Sequence, residues 1–390
     1  MIRAQLDNYI MQILQYSPRI SDIIFTVGKR PQIEVDGELK EVSIRPDPGK
    51  LRPWHLEDIV SCILGRNLRL YKDLVKTGSC DLSYYIKDKA KFRVNIFSQR
   101  SSLAVVMRKL ALFPPTIDEL KLPKIFKDMA YENFGLILIT GATGTGKTTS
   151  LAALINEINS TQSKHIVTLE DPIEYVHFHK KGTVNQRELG KDFDTFANGL
   201  RAALRQAPKV ILVGEIRDRE TMSIALEAAE TGHLVLGTLH TSDAGHTINR
   251  VIGMFDLQEE RVVRGRLAEI LKYVVSQRLL PKIGGDRVAA FEILVNNIRI
   301  RELILNGEDE NKTFYKVIET SEAYNMITFD KYIANLYKEG LITERTAMLY
   351  ATDKARLGQM IDKIKAERGE KVTDIEGLEL DFDYEKRVSS

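Results

Sequence analysis

A glycine-rich loop constrains this chain more than any other feature of its sequence. Residues 141–148 read Gly-Ala-Thr-Gly-Thr-Gly-Lys-Thr, between an apolar run at 134–139 that predicts a buried strand and a helical pattern at 150–158. Backbone N–H groups of such a loop at a helix N-terminus bind anions. The sequence therefore predicts a nucleoside triphosphate site, with Lys147 at the β- and γ-phosphates and Thr148 on Mg²⁺. The predicted nucleotide-binding residues are Gly141, Thr143, Gly144, Thr145, Gly146, Lys147, Thr148 and Thr149.

The composition is typical of a globular protein with two or three domains. Of its 390 residues, 43% are hydrophobic and 28% charged, and the net charge of +2 leaves no basic footprint of the kind nucleic-acid motors carry. Cys62 and Cys80 are too few for a four-thiolate zinc site and are predicted to be free thiols. The sequence shows neither a signal-peptide core nor an apolar run of membrane-spanning length, so we expect a cytoplasmic protein.

Two adjacent prolines at 114–115 mark the predicted domain boundary, because proline disfavours helix interiors and central strands. The sequence predicts an α+β domain at 1–112, a linker at 113–118, an α/β domain at 119–370 and a flexible acidic tail at 371–390.

Strands and helices alternate in the predicted α/β domain, which is typical of a mainly parallel sheet covered by helices. Beyond residue 259 we expect mostly helices, the first of them at 261–278. The predicted strands cover 134–139, 164–169, 209–214 and 233–239, and the predicted helices cover 147–159, 194–206 and 219–230.

Acidic residues follow two of these strands. Glu170, Asp171 and Glu174 follow one, and Glu215 follows another. Ligands of parallel α/β sheets bind at the carboxyl ends of the strands, and triphosphate hydrolysis needs carboxylates near the metal and the attacking water. We therefore expect both groups to face the ligand, with Glu215 supplying the metal-side carboxylate.

Two histidines, His233 and His240, bound the strand predicted at 233–239. A single histidine there is more often a satisfied core residue. Two histidines at the ends of a strand beside the phosphate loop favour a role in sensing the γ-phosphate.

Four motifs, at 141–149, 168–174, 214–218 and 232–240, resemble those of the secretion ATPase superfamily in order and spacing. This superfamily contains the motors of type II secretion, type IV pili and archaeal flagella, and the resemblance covers roughly residues 20–355. Within it, the chain is similar to the pilus retraction ATPases of the PilT/PilU branch. Assembly motors typically carry a four-cysteine zinc motif, and the predicted motor domain has no cysteine. Assembly motors also carry long extra N-terminal domains, whereas only about 110 residues precede the predicted linker here.

The resemblance implies a PAS-like N-terminal domain, a RecA-like ATPase domain with a helical C-terminal part, and a homohexamer that uses ATP and Mg²⁺. It implies that Glu174 activates water, that Glu215 lies on the metal side, and that Arg93 and Arg108 are arginine fingers. We expect each N-terminal domain to supply these arginines to the nucleotide of a neighbouring chain. The histidine box of the family corresponds to His233 and His240.

The implied partners are an inner-membrane platform protein and a paralogous retraction ATPase, with no nucleic acid, at the inner face of the cytoplasmic membrane. The stretch at 296–304 is only partly similar to the C-terminal motif of PilT proteins, and 215–220 and 325–330 look more like PilU. The sequence thus leaves open a main retraction motor and an accessory PilU-like subunit, with an assembly or type II secretion ATPase as a third reading.

Overall fold

The structure, a computed structural model, describes residues 2–370; the acidic tail predicted at 371–390 lies outside the described residues. Two sheets organise the described part of the chain, one in its first third and one in its middle. No helix within residues 2–370 combines the length and apolar character needed to cross a membrane.

The N-terminal domain is built on a six-stranded antiparallel sheet with the order β3-β2-β1-β6-β5-β4. Residues along β4 alternate between buried and more exposed positions, so one face of the sheet packs on the helices and forms the domain core. Its elements are α1 (Arg3–Leu14), β1 (Ile20–Thr26), β2 (Gln32–Val35), β3 (Glu38–Glu41), α2 (Pro53–Leu64), α3 (Leu68–Thr77), β4 (Ser79–Ile86), β5 (Ala90–Gln99) and β6 (Ser102–Leu110).

A seven-stranded sheet with the order β13-β12-β7-β11-β10-β8-β9 forms the second domain. Six of its strands are parallel, and β13 pairs antiparallel at one edge. All residues of β7, β10 and β11 are buried, as expected for strands covered on both faces. The first elements are α4 (Ile125–Ala130), β7 (Gly135–Thr140), α5 (Lys147–Thr161), β8 (His165–Glu170), β9 (Thr183–Glu188), α6 (Phe196–Leu204), β10 (Val210–Val213), α7 (Arg219–Glu230) and β11 (Leu234–Leu239).

The remaining elements complete this sheet and add a helical C-terminal part. The C-terminal helices form their own apolar cluster, which also contacts the sheet through Leu280 and Ala290. These elements are α8 (Ala244–Ile252), α9 (Glu260–Ile270), β12 (Leu271–Pro281), β13 (Arg287–Val295), α10 (Ile298–Asn306), α11 (Phe314–Glu319), a 3₁₀ turn (Glu322–Tyr324), α12 (Phe329–Lys338), α13 (Glu344–Tyr350) and α14 (Lys354–Glu367).

The four predicted strands of the parallel sheet are confirmed as β7, β8, β10 and β11. The prediction of a helix at 261–278 is wrong beyond Ile270, where β12 begins. The run Tyr273-Val274-Val275 favours a buried strand because β-branched and aromatic side chains suit a sheet, and here it pairs with β7. A continuous apolar run cannot be assigned by periodicity alone, which explains the error.

Candidate active site

The phosphate loop connects β7 to α5, as its flanking pattern predicts. Lys147 is the first residue of α5, and only 8% of its surface is exposed. Its Nζ donates to the carbonyl oxygens of Gly141 at 2.7 Å and Ala142 at 2.9 Å. Burial lowers the pKa of Lys147, and the charge of Glu215 offsets part of this effect. A bound phosphate would replace loop carbonyls as the partner of this ammonium group.

Gln277 on β12 contacts both the phosphate loop and the first turn of α5. The sequence did not indicate this role, because Gln277 falls in the segment wrongly predicted as a helix. Its Oε1 accepts a hydrogen bond from the Ser150 hydroxyl at 2.9 Å. Its backbone oxygen lies so close to Gly141 that a Cβ added there would be 2.4 Å away. Only glycine fits this position, where φ is +143°.

Glu215 lies beyond the end of β10 and is held by two neighbouring side chains. Arg217 Nε lies 2.6 Å from its Oε1, and His240 Nε2 lies 2.9 Å from the same atom. Burial raises the pKa of Glu215, but the hydrogen bonds and charges of Arg217 and His240 outweigh it and hold the pKa below its usual value. The carboxylate is therefore ionised at neutral pH, which is the form that can bind a divalent cation.

Three acids, the last residue of β8 and two in the segment that follows it, occupy different environments in the same cavity. Glu170 is buried and accepts hydrogen bonds from Thr168 at 2.6 Å and Gln186 at 2.9 Å, and burial raises its pKa. Asp171 is exposed, and Glu174 is half-buried. Within residues 2–370, Glu174 accepts no hydrogen bond, which leaves its carboxylate available to a water molecule in the cavity.

Arg93 on β5 also lines this cavity, so the N-terminal domain contributes to a site on its own chain. This differs from the expectation that Arg93 would serve a neighbouring chain. Arg108 is its cross-strand partner on β6, but it does not line the cavity; its Nε donates to Asp22 Oδ1 at 3.0 Å. The structure therefore separates two arginines that the sequence placed in one role.

His240 and His233 are separated in the same way. His240 follows β11 at the edge that bears the phosphate loop, and its Nδ1 lies 3.4 Å from Lys147 Nζ. His233 precedes β11, and its Nδ1 lies 3.0 Å from the Ala228 carbonyl oxygen. Six strand residues lie between the two, a span of roughly 20 Å, so His233 does not reach the cavity.

The cavity that these residues share has a volume of about 520 Å³, within the range of small-molecule sites. Both domains line it, and its walls include Tyr175, whose hydroxyl lies 3.2 Å from Thr149 Oγ1. Of the predicted phosphate-loop residues, the cavity is lined by Thr143, Gly144, Gly146, Lys147, Thr148 and Thr149.

The fold and the cavity define a P-loop nucleotide-binding protein with a mainly parallel sheet. Residues 79–333 match the family described as Type II/IV secretion system protein, and the chain belongs to this family. Its relatives identify it further as an ATPase.

Three comparisons give the degree of similarity. The Pseudomonas aeruginosa protein described as type IV pilus retractation ATPase PilT is 42% identical over 340 residues, covering 87% of this chain and 96% of that protein. The type IV pilus ATPase PilU of the same organism is 38% identical over 342 residues, with 87% of both chains covered. A crystal structure of the pilus retraction motor PilT with bound ADP aligns with a TM-score of 0.79 at 42% identity, covering 90% of this chain and 99% of that one.

Proposed function

We propose that this ATPase is the motor of type IV pilus retraction, which removes pilin from the fibre and so drives twitching motility. One observation carries the chemical part of the proposal. Lys147, Glu174, Glu215 and Arg93 come from separate segments of two domains and line one cavity. Phosphoryl transfer depends on positioning and charge stabilisation, and these four side chains supply both.

Each side chain has a separate role in this proposal. The phosphate loop and Lys147 bind the triphosphate, and Glu174 orients and deprotonates the attacking water. Thr148 and Glu215 would hold Mg²⁺, partly through water, and the bound ion would supply positive charge to the phosphates. The ionised state of Glu215 supports this assignment. Arg93 stabilises the charge that develops on the γ-phosphate of its own chain.

We infer a homohexameric ring with PAS-like N-terminal domains and RecA-like ATPase domains. Because Arg93 lines the cavity of its own chain, opening and closing of the two domains would accompany each nucleotide cycle. The ring would act on an inner-membrane platform protein from the cytoplasmic side. Native mass spectrometry with ATP should show six subunits, and a stable monomer or dimer would contradict the ring.

The chemical assignment is tested by Glu174→Gln. This variant should bind ATP as the unsubstituted protein does and release almost no phosphate, because the neutral amide cannot accept the proton of the attacking water. Glu157→Gln is a matched control, since Glu157 is also half-buried in this domain but lies outside the cavity. Phosphate release at the normal rate from Glu174→Gln would contradict the assignment.

The biological assignment is tested by deleting the gene and scoring surface pili and twitching. A retraction motor predicts abundant pili without movement, whereas an assembly motor predicts their absence.

An accessory, PilU-like role is the second candidate, because the identities to PilU and PilT differ by only four percentage points (42 − 38) over nearly the same length. Complementation of the deletion strain with Lys147→Ala distinguishes the two. The main motor requires its own phosphate site, so the variant should fail to restore movement. Rescue by Lys147→Ala would assign the accessory role.

A further inference from the structure

Glu188, at the end of β9, connects the two domains beside the cavity. Only 2% of its surface is exposed, and it accepts hydrogen bonds from the N-terminal domain. The backbone N–H of Ser83 donates to its Oε1 at 3.2 Å, and the Ser83 hydroxyl donates to its Oε2. One buried carboxylate thus accepts hydrogen bonds from both donors of Ser83, its backbone N–H and its hydroxyl.

The same carboxylate also holds the loop that carries Glu174. The backbone N–H of Ile173, the residue immediately before Glu174, donates to Oε2 of Glu188 at 3.3 Å. Oε2 therefore accepts from Ser83 on one side and from Ile173 on the other. A shift of Ser83 would change the position or the hydrogen-bonding capacity of the atom that anchors this loop.

Ser83 is also linked to Arg93. The two residues are cross-strand partners on β4 and β5, so they move together when the N-terminal domain moves. Arg93 lines the nucleotide cavity, whereas Ser83 reaches Glu188. When this pair of strands docks, Arg93 therefore lies at the nucleotide cavity, and Ser83 donates hydrogen bonds to Glu188.

A buried lysine completes the interface. Lys91 is two residues from Arg93 on the same face of β5, and 2% of its surface is exposed. Its ammonium has no hydrogen-bond partner within residues 2–370. Burial lowers the pKa of Lys91 to about 8, and the charges of Glu170, Glu188 and Glu174 oppose this shift, so the amine is mostly protonated at neutral pH. The N-terminal domain therefore brings a positive charge to the acidic groups behind the cavity. Lys191 adds a second, half-exposed cation 3.4 Å from Glu188.

We propose that Glu188 is a positioning residue that couples docking of the N-terminal domain to the placement of Glu174. When the domain docks, Ser83 fixes the Glu188 carboxylate, and this carboxylate fixes the Ile173 amide and hence the catalytic loop. The inference rests on the proposed role of Glu174, and it makes hydrolysis depend on the same closure that brings Arg93 to the nucleotide. A chain with its domains apart would then bind ATP without hydrolysing it efficiently.

Ser83→Ala in the full-length protein is the first test, because it removes one hydroxyl from the N-terminal side and leaves the ATPase domain unchanged. We expect kcat to fall about tenfold, as small misplacements of catalytic groups do, with KM for ATP and the thermal midpoint little changed. Ser79→Ala is the matched control, since Ser79 lies on the same face of β4 but its hydroxyl makes no hydrogen bond within residues 2–370. An unchanged kcat, or a rise in KM alone, would overturn the proposal.

A double-mutant cycle tests whether the effect passes through Glu188. If it does, Ser83→Ala combined with Glu188→Gln should lower kcat no further than Glu188→Gln alone. Multiplicative effects would show that Ser83 acts by another route and would overturn the proposal. Should Glu188→Gln fail to fold, the single variant Ser83→Ala still decides the question through kcat and amide exchange.

Hydrogen exchange at the Ile173 amide, measured with ADP bound, reports the coupling without any hydrolysis. Exchange should be faster in Ser83→Ala than in Ser79→Ala, and equal rates would overturn the proposal. This measurement also separates the inference from the proposed catalytic role. Were Glu174→Gln to retain turnover, the role of Glu174 would fall, whereas accelerated Ile173 exchange would still establish the link between the domains.

Discussion

Nε2 of His240 lies 2.9 Å from Oε1 of Glu215, at the edge of the sheet that bears the phosphate loop. The other ring nitrogen of His240 lies 3.4 Å from Lys147 Nζ. One imidazole therefore lies between the Glu215 carboxylate and the lysine of the phosphate loop. A change at the phosphates would alter the partners of Lys147 and thereby the hydrogen bonding of His240.

His240→Gln should lower ATP turnover about tenfold or more, because residues that orient a metal-binding carboxylate typically contribute this much. The Mg²⁺ concentration that gives half-maximal turnover should rise as well, and a titration of turnover against Mg²⁺ measures it. His233→Gln is the matched control: His233 lies at the other end of β11 and should keep normal turnover. Equal losses in both variants would contradict the separation of the two histidines.

Gly141→Ala should weaken nucleotide binding by at least about tenfold and destabilise the fold by about 1–3 kcal/mol, the range for a strained backbone position. The added Cβ would lie 2.4 Å from the Gln277 backbone oxygen, so the loop or β12 must shift. Binding of a fluorescent ATP analogue and thermal unfolding measure the two effects.

The control for this substitution is Gly265→Ala, where the added Cβ meets no atom within 4 Å and the residue lies inside α9. It should stabilise the protein by up to about 1 kcal/mol, because alanine favours a helix over glycine. Similar behaviour of the two variants would contradict the close contact between Gly141 and Gln277.

The sequence allowed the phosphate loop and the strands that flank it to be predicted, because β7, β8, β10 and β11 are apolar runs that end in polar motifs. Their carboxyl ends meet at one edge in a parallel sheet, which predicts that Glu174 and Glu215 face the ligand, and both line one cavity together with His240.

The contacts between distant segments could not be predicted from the sequence. Gln277 supports the phosphate loop from a strand more than one hundred residues away, and no local pattern marks it. No motif in the sequence singles out Lys91 or Glu188, yet both are buried in the structure, and Glu188 accepts a hydrogen bond from the other domain. The prediction that places His233 beside the loop is wrong, because a residue that precedes a parallel strand lies at the edge opposite the carboxyl ends where the loop is found.

The fold should lose stability in acid because of the buried side chain of His177. Burial lowers the pKa of His177 to about 4, and the charges of Lys91 and Lys180 act in the same direction. The unfolded chain, with a pKa of about 6.5, therefore binds more protons than the folded one between these values, so stability falls as pH falls from about 6.5 to 4. The contribution lost by pH 4.5 is about 2–3 kcal/mol.

His177→Gln removes this titration and keeps a polar side chain of similar size. The thermal midpoint of the variant should depend less on pH between 4.5 and 7 than that of the unsubstituted protein. The measurement is a series of unfolding curves across this range. The same pH dependence in both proteins would contradict a buried, neutral His177.

Arg93 and Arg108 should differ in what their loss affects. Arg93→Ala should lower turnover roughly a hundredfold, as the loss of a group that stabilises developing charge does, and leave the thermal midpoint unchanged. Arg108→Ala should destabilise the N-terminal domain by about 1–2 kcal/mol, because it leaves the Asp22 carboxylate, 6% exposed, without its partner. A large loss of turnover in Arg108→Ala at an unchanged thermal midpoint would show instead that Arg108 reaches the nucleotide.

Co-expression of Arg93→Ala and Lys147→Ala chains tests whether each site is completed by its own chain. Both residues line one cavity of a single chain, so every site in a mixed assembly lacks one of them. We therefore expect the mixture to remain as inactive as either variant alone. If Arg93 instead served a neighbouring chain, an Arg93→Ala chain with intact Lys147 would receive the arginine of a Lys147→Ala neighbour, and turnover would reappear. Mixed assemblies purified through two different affinity tags give the measurement.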